Sequence, residues 1–391
     1  MKKEGNVFSR STNRRSFLTS GTVAAGAATL GAATLGAALP GRVYAFDRDQ
    51  DDRSQPTQGD IAILRFLAAA EIIETDLWAQ YAELGGIGNN PPIELDPTET
   101  LNNYQLALSN LDSDGPQYIA SNALDEQSHA NFLNAYLASK GAQQVSLEEF
   151  RTLPGSTALG ASSKFITNLT NLNVDTSWFV RYRSTTNPDL GATFPQAITL
   201  NGVTAIPRNP SDLTGTPDPQ FPNAVPDHIQ AIANVAAFHF GAIEQGGTSL
   251  YATLSQKVTS AEVLKITLSI GGDEIAHFLE WVDFSGNGVQ GPIAPFTDKI
   301  SGLSFPNFFT NPPLQQLNLT QPSLIFPVPC EFLQKDLGNV AIIRPTSVQN
   351  SGAVASANAL IASNLFLGQP AKFFRTLLQL AEEADAAQRG F

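Results

Sequence analysis

Residues 125–129 read Asp-Glu-Gln-Ser-His, and residues 273–277 repeat the pattern as Asp-Glu-Ile-Ala-His. In a helix, side chains three positions apart project from nearly the same face. Each Glu-x-x-His unit can therefore direct one carboxylate and one imidazole towards a common inward point. Such pairs also occur on solvated helix surfaces, but both stretches are mostly apolar, where a buried unpaired carboxylate would be costly. We interpret the two units as metal-binding pairs on two helices.

Two further glutamates extend the repeat. Glu74 lies seven residues before Tyr81, and Glu244 lies seven residues before Tyr251. Glu71 is an alternative to Glu74, because both lie near the inward face of the same helix; the repeat favours Glu74. Four carboxylates nearly neutralise two divalent ions, and a mixed oxygen and nitrogen set suits iron or manganese. The predicted metal ligands are Glu74, Glu126, His129, Glu244, Glu274 and His277.

The residues beside these ligands have less specific roles. Tyr81 and Tyr251 are typical of core aromatics, with hydrogen bonding to metal-bound carboxylates as the alternative. Asp125 and Asp273 point about 100° away from the ligand face of their helices. We expect these two aspartates to be solvated, with hydrogen bonding to the ligands as the less favoured interpretation.

Hydrophobic periodicity predicts an all-α fold built on four long helices in two pairs. Proline and glycine clusters with short β-prone pieces, near 179–182 and 197–200, indicate a long insertion between the pairs. Two pairs with one long connection are typical of an antiparallel four-helix bundle. The predicted long helices cover about 61–84, 116–140, 226–254 and 260–284, with the insertion at 145–225.

The remaining parts of the chain surround this predicted domain, 61–286. We expect a flexible leader at 46–60, and a shorter helix at 97–109 between the first two long helices. Residues 287–391 form a C-terminal extension packed on the bundle. This extension is irregular and rich in Phe and Pro at first. It ends in helices at about 352–364 and 369–389.

The N-terminus has the pattern of an export signal. Arg14 and Arg15 stand directly before an apolar pair, an uncharged stretch follows at 21–39, and residues 43–45 form a small-residue cleavage site. Residues 1–45 are thus predicted to be a signal peptide of the twin-arginine type. A membrane anchor is the alternative, but the stretch is rich in Gly and Ala rather than Leu. We expect export by the twin-arginine machinery, cleavage, a periplasmic or extracellular location, and no stable membrane insertion afterwards.

Charge and cysteine content narrow the classes of function. Residues 1–45 hold six basic groups and one acid, whereas the rest holds 17 basic and 35 acidic groups. A surface with this excess of acidic groups repels nucleic acid and tolerates cations. Cys330 is the only cysteine, which excludes an internal disulfide.

The ligand pattern resembles that of the ferritin-like superfamily. The stretch Ala70-Glu71-Ile72-Ile73-Glu74, with Tyr81, is similar to the first helix of exported, desiccation-related ferritin-like proteins. The resemblance covers about 61–141 and 229–286. It implies a ferritin-like antiparallel four-helix bundle holding two Fe or Mn ions.

The resemblance also implies a range of activities. It suggests redox activity towards ferrous iron or peroxide in stress protection, of the ferroxidase, peroxidase or manganese-catalase kind, and an oligomer is possible. Two alternatives stay open. One is a stress- or desiccation-protective scaffold or binding protein without turnover. The other is an adhesive or surface protein that works through its Phe- and Pro-rich C-terminal segment.

Overall fold

Four long helices dominate the part of this chain that the structure describes. The structure is a computed structural model, and it describes residues 55–87, 100–159, 163–178, 198–307, 328–329, 335–341 and 348–390. Of these residues, 59% are helical and 8% are in strands, which confirms the expectation of a mainly helical protein. The chain divides into two units, Met1–Asp49 and Gln50–Phe391, and only the second contains described residues. The predicted signal peptide at 1–45, with Arg14 and Arg15, lies outside them.

The helix bounds follow the hydrophobic periodicity closely. Within the described residues the α-helices are α1 (Gln58–Gly85), α2 (Asn103–Leu111), α3 (Gly115–Ser139), α4 (Asp227–Ser255), α5 (Ala261–Phe284), α6 (Gly286–Val289), α7 (Val348–Ser351), α8 (Ala353–Ala362) and α9 (Ala371–Ala386). Short 3₁₀ turns occupy Glu148–Phe150, Pro210–Leu213 and Lys335–Leu337. No helix among the described residues is long and apolar enough to cross a membrane.

Ten short strands form five antiparallel pairs in the described residues. They are β1 (Leu153–Pro154) with β2 (Lys164–Phe165), β3 (Leu172–Val174) with β4 (Leu200–Val203), β5 (Pro217–Asp218) with β6 (Val225–Pro226), β7 (Phe296–Thr297) with β8 (Ser304–Phe305), and β9 (Val328–Pro329) with β10 (Asn339–Val340). The β-prone piece predicted at 179–182 lies outside the described residues. The one at 197–200 is found slightly later, as β4.

The first helix begins three residues earlier than predicted, inside the expected leader. The Thr57 side chain accepts from Asp60 N at 3.1 Å, and Thr57 N donates to Asp60 Oδ2 at 2.9 Å. This reciprocal capping satisfies two backbone groups at the helix start. The second helix is also capped in this way, by Asn102 and Gln105, and begins at Asn103; residues 97–99 of the predicted short helix lie outside the described residues.

The long helices pack in two pairs, α1 with α3 and α4 with α5. Ile87 N, just beyond α1, donates to Pro116 O at the start of α3, so these two helices are antiparallel. Asp60 accepts from Thr259 N at 2.8 Å and from Ser260 N at 3.1 Å. The starts of α1 and α5 therefore meet, and the two helices run in the same direction.

An aromatic cluster joins three of the long helices. The Trp78 ring stacks on Phe240 and Trp281, with centroids 4.9 and 5.2 Å apart. Burial of such large rings is among the strongest contributions to a core. The cluster lies directly beside Glu244, because Trp78 Nε1 donates to Glu244 Oε1 at 3.1 Å.

The insertion and the C-terminal helices pack against the outside of α1 and α4. The buried Asp76 carboxylate accepts from Ile166 N, Thr167 N and Thr167 Oγ1, each at 2.9 Å. Helix α9 packs along α1, and Arg65 forms an ion pair with Glu383 at 3.1 Å. These contacts place β3, β4 and α8 near the side of α4 on which His239 and Gly247 lie.

Candidate metal centre

The two Glu-x-x-His units lie in the middle of α3 and α5, and their side chains are buried. Glu126 and Glu274 have no exposed surface, while His129 and His277 are 8% and 5% exposed. Burial of this kind excludes the solvated-pair interpretation of the motif. Helices α1 and α4 add Glu71 and Glu244, which are also fully buried.

A first cluster contains one group from α1, two from α3 and one from α5. His129 Nδ1 lies 3.3 Å from Glu71 Oε2 and 3.3 Å from Glu126 Oε2. Glu274 completes this cluster, in which one ligand atom from each residue lies within 4.8 Å of all the others. Three carboxylates and one imidazole at this spacing could hold a metal ion.

A second cluster shares Glu126 with the first. His277 Nδ1 lies 3.1 Å from Glu126 Oε1 and 3.5 Å from Glu244 Oε2. The two oxygens of Glu126 therefore face different histidines. A carboxylate in this position can bridge two cations, one in each cluster.

The structure places Glu71, not Glu74, among the ligand atoms of the first cluster. The Tyr251 hydroxyl donates a hydrogen bond to Glu71 Oε1, and the other oxygen, Glu71 Oε2, faces His129. Glu74 is only half-buried and lines a cavity beside the cluster. The Glu-to-Tyr repeat does not separate the two glutamates of α1, because Tyr251 contacts Glu71 on another helix.

Glu274 is the residue whose environment points most directly to a cation. Both of its carboxylate oxygens are buried, and neither has a hydrogen-bond partner among the described residues. Its side chain fits only because residue 247 is glycine: a Cβ there would lie under 3.0 Å from Glu274 Oε2. Burying an ionised carboxylate without a partner costs several kcal/mol. A cation would remove this cost.

Burial and neighbouring charges shift the pKa values of the cluster in opposite directions. Burial raises the pKa of Glu71 to about 8, although His129 partly offsets it. Burial also raises the pKa of Glu274 well above its ordinary value. For Glu126, burial is outweighed by hydrogen bonds from both histidines, which hold its pKa at about 2. Without a cation the cluster therefore holds protons, and cation binding must release them.

Asp125 and Asp273 are partly solvated, as expected, with side chains 49% and 44% exposed, and they also contact the histidines. His129 Nε2 lies 3.1 Å from Asp273 Oδ2, and His277 Nε2 lies 3.5 Å from Asp125 Oδ2. Each aspartate thus reaches the histidine of the other helix. A carboxylate on Nε2 orients the ring and leaves Nδ1 for a cation. Because the aspartate recurs in both motifs, the sequence did contain a signal for this role.

Replacing these two aspartates should weaken metal binding without abolishing it. In Asp125→Asn with Asp273→Asn, we expect the affinity to fall about ten- to a hundredfold, the usual cost of losing such partners. Competition of the metal-loaded full chain with a chelator would measure this. Gln127→Ala, exposed on the same face of α3 as Ser128, is the control. Equal metal affinities in the wild type, the aspartate double variant and Gln127→Ala would contradict the role of the aspartates in orienting the histidines.

Tyr81 does not reach the carboxylates. Its hydroxyl lies 2.7 Å from His239 Nδ1, and both side chains are buried. Of the two tyrosines considered as donors to metal-bound carboxylates, only Tyr251 makes such a contact, and it does so with Glu71. Burial lowers the pKa of His239 from 6.5 to about 3, so this histidine is neutral at neutral pH.

His239 should make the folded protein less stable in mild acid. Its folded pKa lies below its unfolded value, so the unfolded chain takes up a proton first as pH falls from about 6.5 towards 3. His239→Gln should reduce the slope of unfolding free energy against pH there by up to about 1.4 kcal/mol per pH unit. Urea unfolding at several pH values tests this. Tyr81→Phe should keep the wild-type slope, and an unchanged slope in His239→Gln would refute the assignment.

Comparison of this chain with protein-family models, with curated proteins and with solved structures finds no significant match to any of them. Function must therefore be inferred from the site itself.

Proposed function

We propose that this chain is an exported protein whose four long helices form a ferritin-like antiparallel bundle around two Fe or Mn ions. The proposed activity is redox chemistry on ferrous iron or peroxide in stress protection. The observation that carries the proposal is the convergence of four buried glutamates and two histidines, among which Glu274 has no hydrogen-bond partner in the described residues.

Charge balance supports two ions rather than one. Four carboxylates from Glu71, Glu126, Glu244 and Glu274 carry four negative charges when ionised, which matches two divalent cations with neutral histidines. The donor set of oxygen and imidazole nitrogen suits Fe or Mn, and the lack of cysteine in the cluster disfavours softer metals. The shared position of Glu126 supports two ions close to one another.

Each protein group would have a distinct task around the ions. Glu71, His129 and Glu274 would hold the first ion, and Glu244 and His277 the second, with Glu126 between them. Tyr251 and Trp78 fix the outer oxygens of Glu71 and Glu244 by donating hydrogen bonds. Asp273 and Asp125 orient the two imidazoles. When bound, Fe or Mn would supply reversible one-electron changes, which neither imidazole nor carboxylate can provide.

Metal analysis of the full chain, purified after export in its native host, tests the proposal. We expect about two Fe or Mn ions per chain. Ferrous oxidation and peroxide consumption should then be measured with the loaded protein and with protein stripped by a chelator. A chain that carries no metal after native export would refute the metal site. Full loading without either activity would refute the redox function and favour a scaffold.

Export is proposed from the twin-arginine pattern alone. Arg14→Lys with Arg15→Lys should keep the chain in the cytoplasm, because the paired arginines are what the export machinery reads. Cell fractionation measures this, and mass spectrometry of the exported wild type should give an N-terminus near Phe46. Exported protein that keeps residues 1–45 would contradict the cleaved-signal interpretation.

A further inference from the structure

A cavity of about 320 Å³ lies beside the candidate metal centre, between α1, α4, the β3–β4 pair and α8. Its volume is at the lower end of the range for small-molecule pockets, about 300–1,000 Å³. It would take on the order of ten non-hydrogen atoms at about 30 Å³ each. Most of its wall is apolar, formed by Phe66, Ala70, Val174, Ile243, Leu250 and Leu360.

Among the polar residues that line the cavity are Glu74 and His239, which the metal clusters do not use. His239 is 2% exposed, and its Nε2 atom has no hydrogen-bond partner among the described residues. A buried polar atom without a partner is rare and indicates a missing ligand or water. Since His239 lines the cavity, a molecule bound there can supply the partner.

The cavity also borders the carboxylate cluster itself. Gly247, against which Glu274 packs, forms part of its wall. Glu74 is close enough to Glu126, Glu71 and Glu244 for their charges to raise its pKa in addition to burial. One part of the cavity wall therefore lies next to the proposed ions.

The polar groups limit what the bound molecule can be. His239 can donate or accept at Nε2 according to its tautomer, and a hydroxyl group satisfies either case because it both donates and accepts. A hydroxyl group likewise satisfies the carboxyl group of Glu74, whether that group donates or accepts the hydrogen bond. An anionic head group would be repelled by the exposed carboxylate of Asp175, which also lines the cavity.

We propose that this cavity binds a small neutral alcohol or phenol, with its hydrocarbon body against the apolar wall and its hydroxyl group hydrogen-bonded to His239 Nε2. The inference goes beyond the proposed function, because binding requires no metal ion. Its position makes the occupant a candidate organic substrate of the metal centre.

Calorimetric titration of the full chain with 4-propylphenol, which has ten non-hydrogen atoms, tests the proposal. We expect a Kd below about 1 mM, in both metal-free and metal-loaded protein. Propylbenzene, which lacks the hydroxyl group, and 4-propylbenzoate, which is anionic, should each bind at least about tenfold more weakly. No detectable binding of the phenol, or equal binding of propylbenzene, would overturn the proposal.

A pair of variants on α8 locates the binding site. Ala355 lines the cavity and is half-buried, so Ala355→Phe should fill it and weaken phenol binding at least about tenfold. Asn358→Phe adds the same ring at an exposed position outside the cavity and should bind as the wild type does. Equal binding by the two variants would overturn the assignment.

Metal content separates this inference from the proposed function. Ala355→Phe should carry as much metal as the wild type, because it does not touch the carboxylate clusters. Phenol binding in a chain that never carries metal would refute the metal centre and leave the pocket intact. A metal-loaded chain that does not bind the phenol would refute the pocket alone.

Discussion

Replacing Glu126 and Glu274 together with alanine is expected to reduce the metal content of the exported protein from about two ions per chain to nearly none. Glu126 belongs to both clusters, and Glu274 contributes two buried oxygens without hydrogen-bond partners in the described residues. The double variant therefore removes the shared carboxylate and the carboxylate most in need of a cation. We expect the affinity for the metal to fall by more than about a hundredfold. This exceeds the usual effect of replacing residues that only hydrogen-bond to the metal ligands.

Thermal unfolding should show the same loss of metal binding. A ligand that binds only the folded state stabilises it by about 2.7 kcal/mol at a hundred times its Kd. Metal addition should therefore raise the Tm of the stripped wild type but not that of the double variant. Without metal, the variant is relieved of the costly burial of Glu274 but loses the hydrogen bonds that both histidines make with Glu126, so the metal-dependent rise in Tm, not the Tm itself, is the readout.

Glu148→Ala with Glu149→Ala is the matched control for this experiment. It removes the same two negative charges from an exposed 3₁₀ turn, where their ion pairs with Arg151 and Lys372 contribute little. Its metal content and the metal-dependent rise in Tm should equal those of the wild type. If Glu126→Ala with Glu274→Ala kept the same metal content as this control, the proposed metal centre would be refuted.

Gly247→Ala is expected to lower metal affinity strongly, although alanine favours a helix over glycine. The added Cβ would lie under 3.0 Å from Glu274 Oε2, so the carboxylate must move away from its position in the first cluster. Displacement of a ligand by even 1 Å is sufficient to disrupt a preorganised site. We expect a loss of about a hundredfold or more in metal affinity, measured by competition with a chelator.

Gly246→Ala provides a control that differs by one position. A Cβ at Gly246 would meet nothing within 4 Å, so the substitution should leave the metal centre unchanged. It should raise the free energy of unfolding by about 0.5–1 kcal/mol, the usual difference between alanine and glycine inside a helix. Equal metal affinity in the two variants would show that Glu274 does not bind the ion in this position.

Local sequence patterns were sufficient to predict the long helices. The predicted starts and ends of α3, α4 and α5 differ from those of the structure by at most one residue. This agreement has a physical reason: periodicity, capping residues and terminal glycines act within a few turns of the chain. Gly141, just beyond the end of α3, has a φ of +69°, the left-handed conformation in which a glycine commonly ends a helix.

The Glu-x-x-His pairs are also local, because a spacing of three residues on a helix determines that both side chains share a face. The choice between Glu71 and Glu74 is different. The two residues are about 60° apart around α1, so periodicity cannot separate them. Only the contact of Tyr251, from a helix 180 residues away in sequence, selects Glu71.

Two other features depend on tertiary structure in the same way. Gly246 and Gly247 both disfavour a helix by local propensity, and only the approach of Glu274 gives Gly247 a function. Asp125 and Asp273 point away from their own ligand faces and reach the histidine of the opposite helix. The sequence by itself determined the helices and the two Glu-x-x-His pairs, since these depend on neighbours within one or two turns. The α1 ligand, the glycine contact and the cavity were decided by the packing of distant segments, whose distances no local pattern encodes.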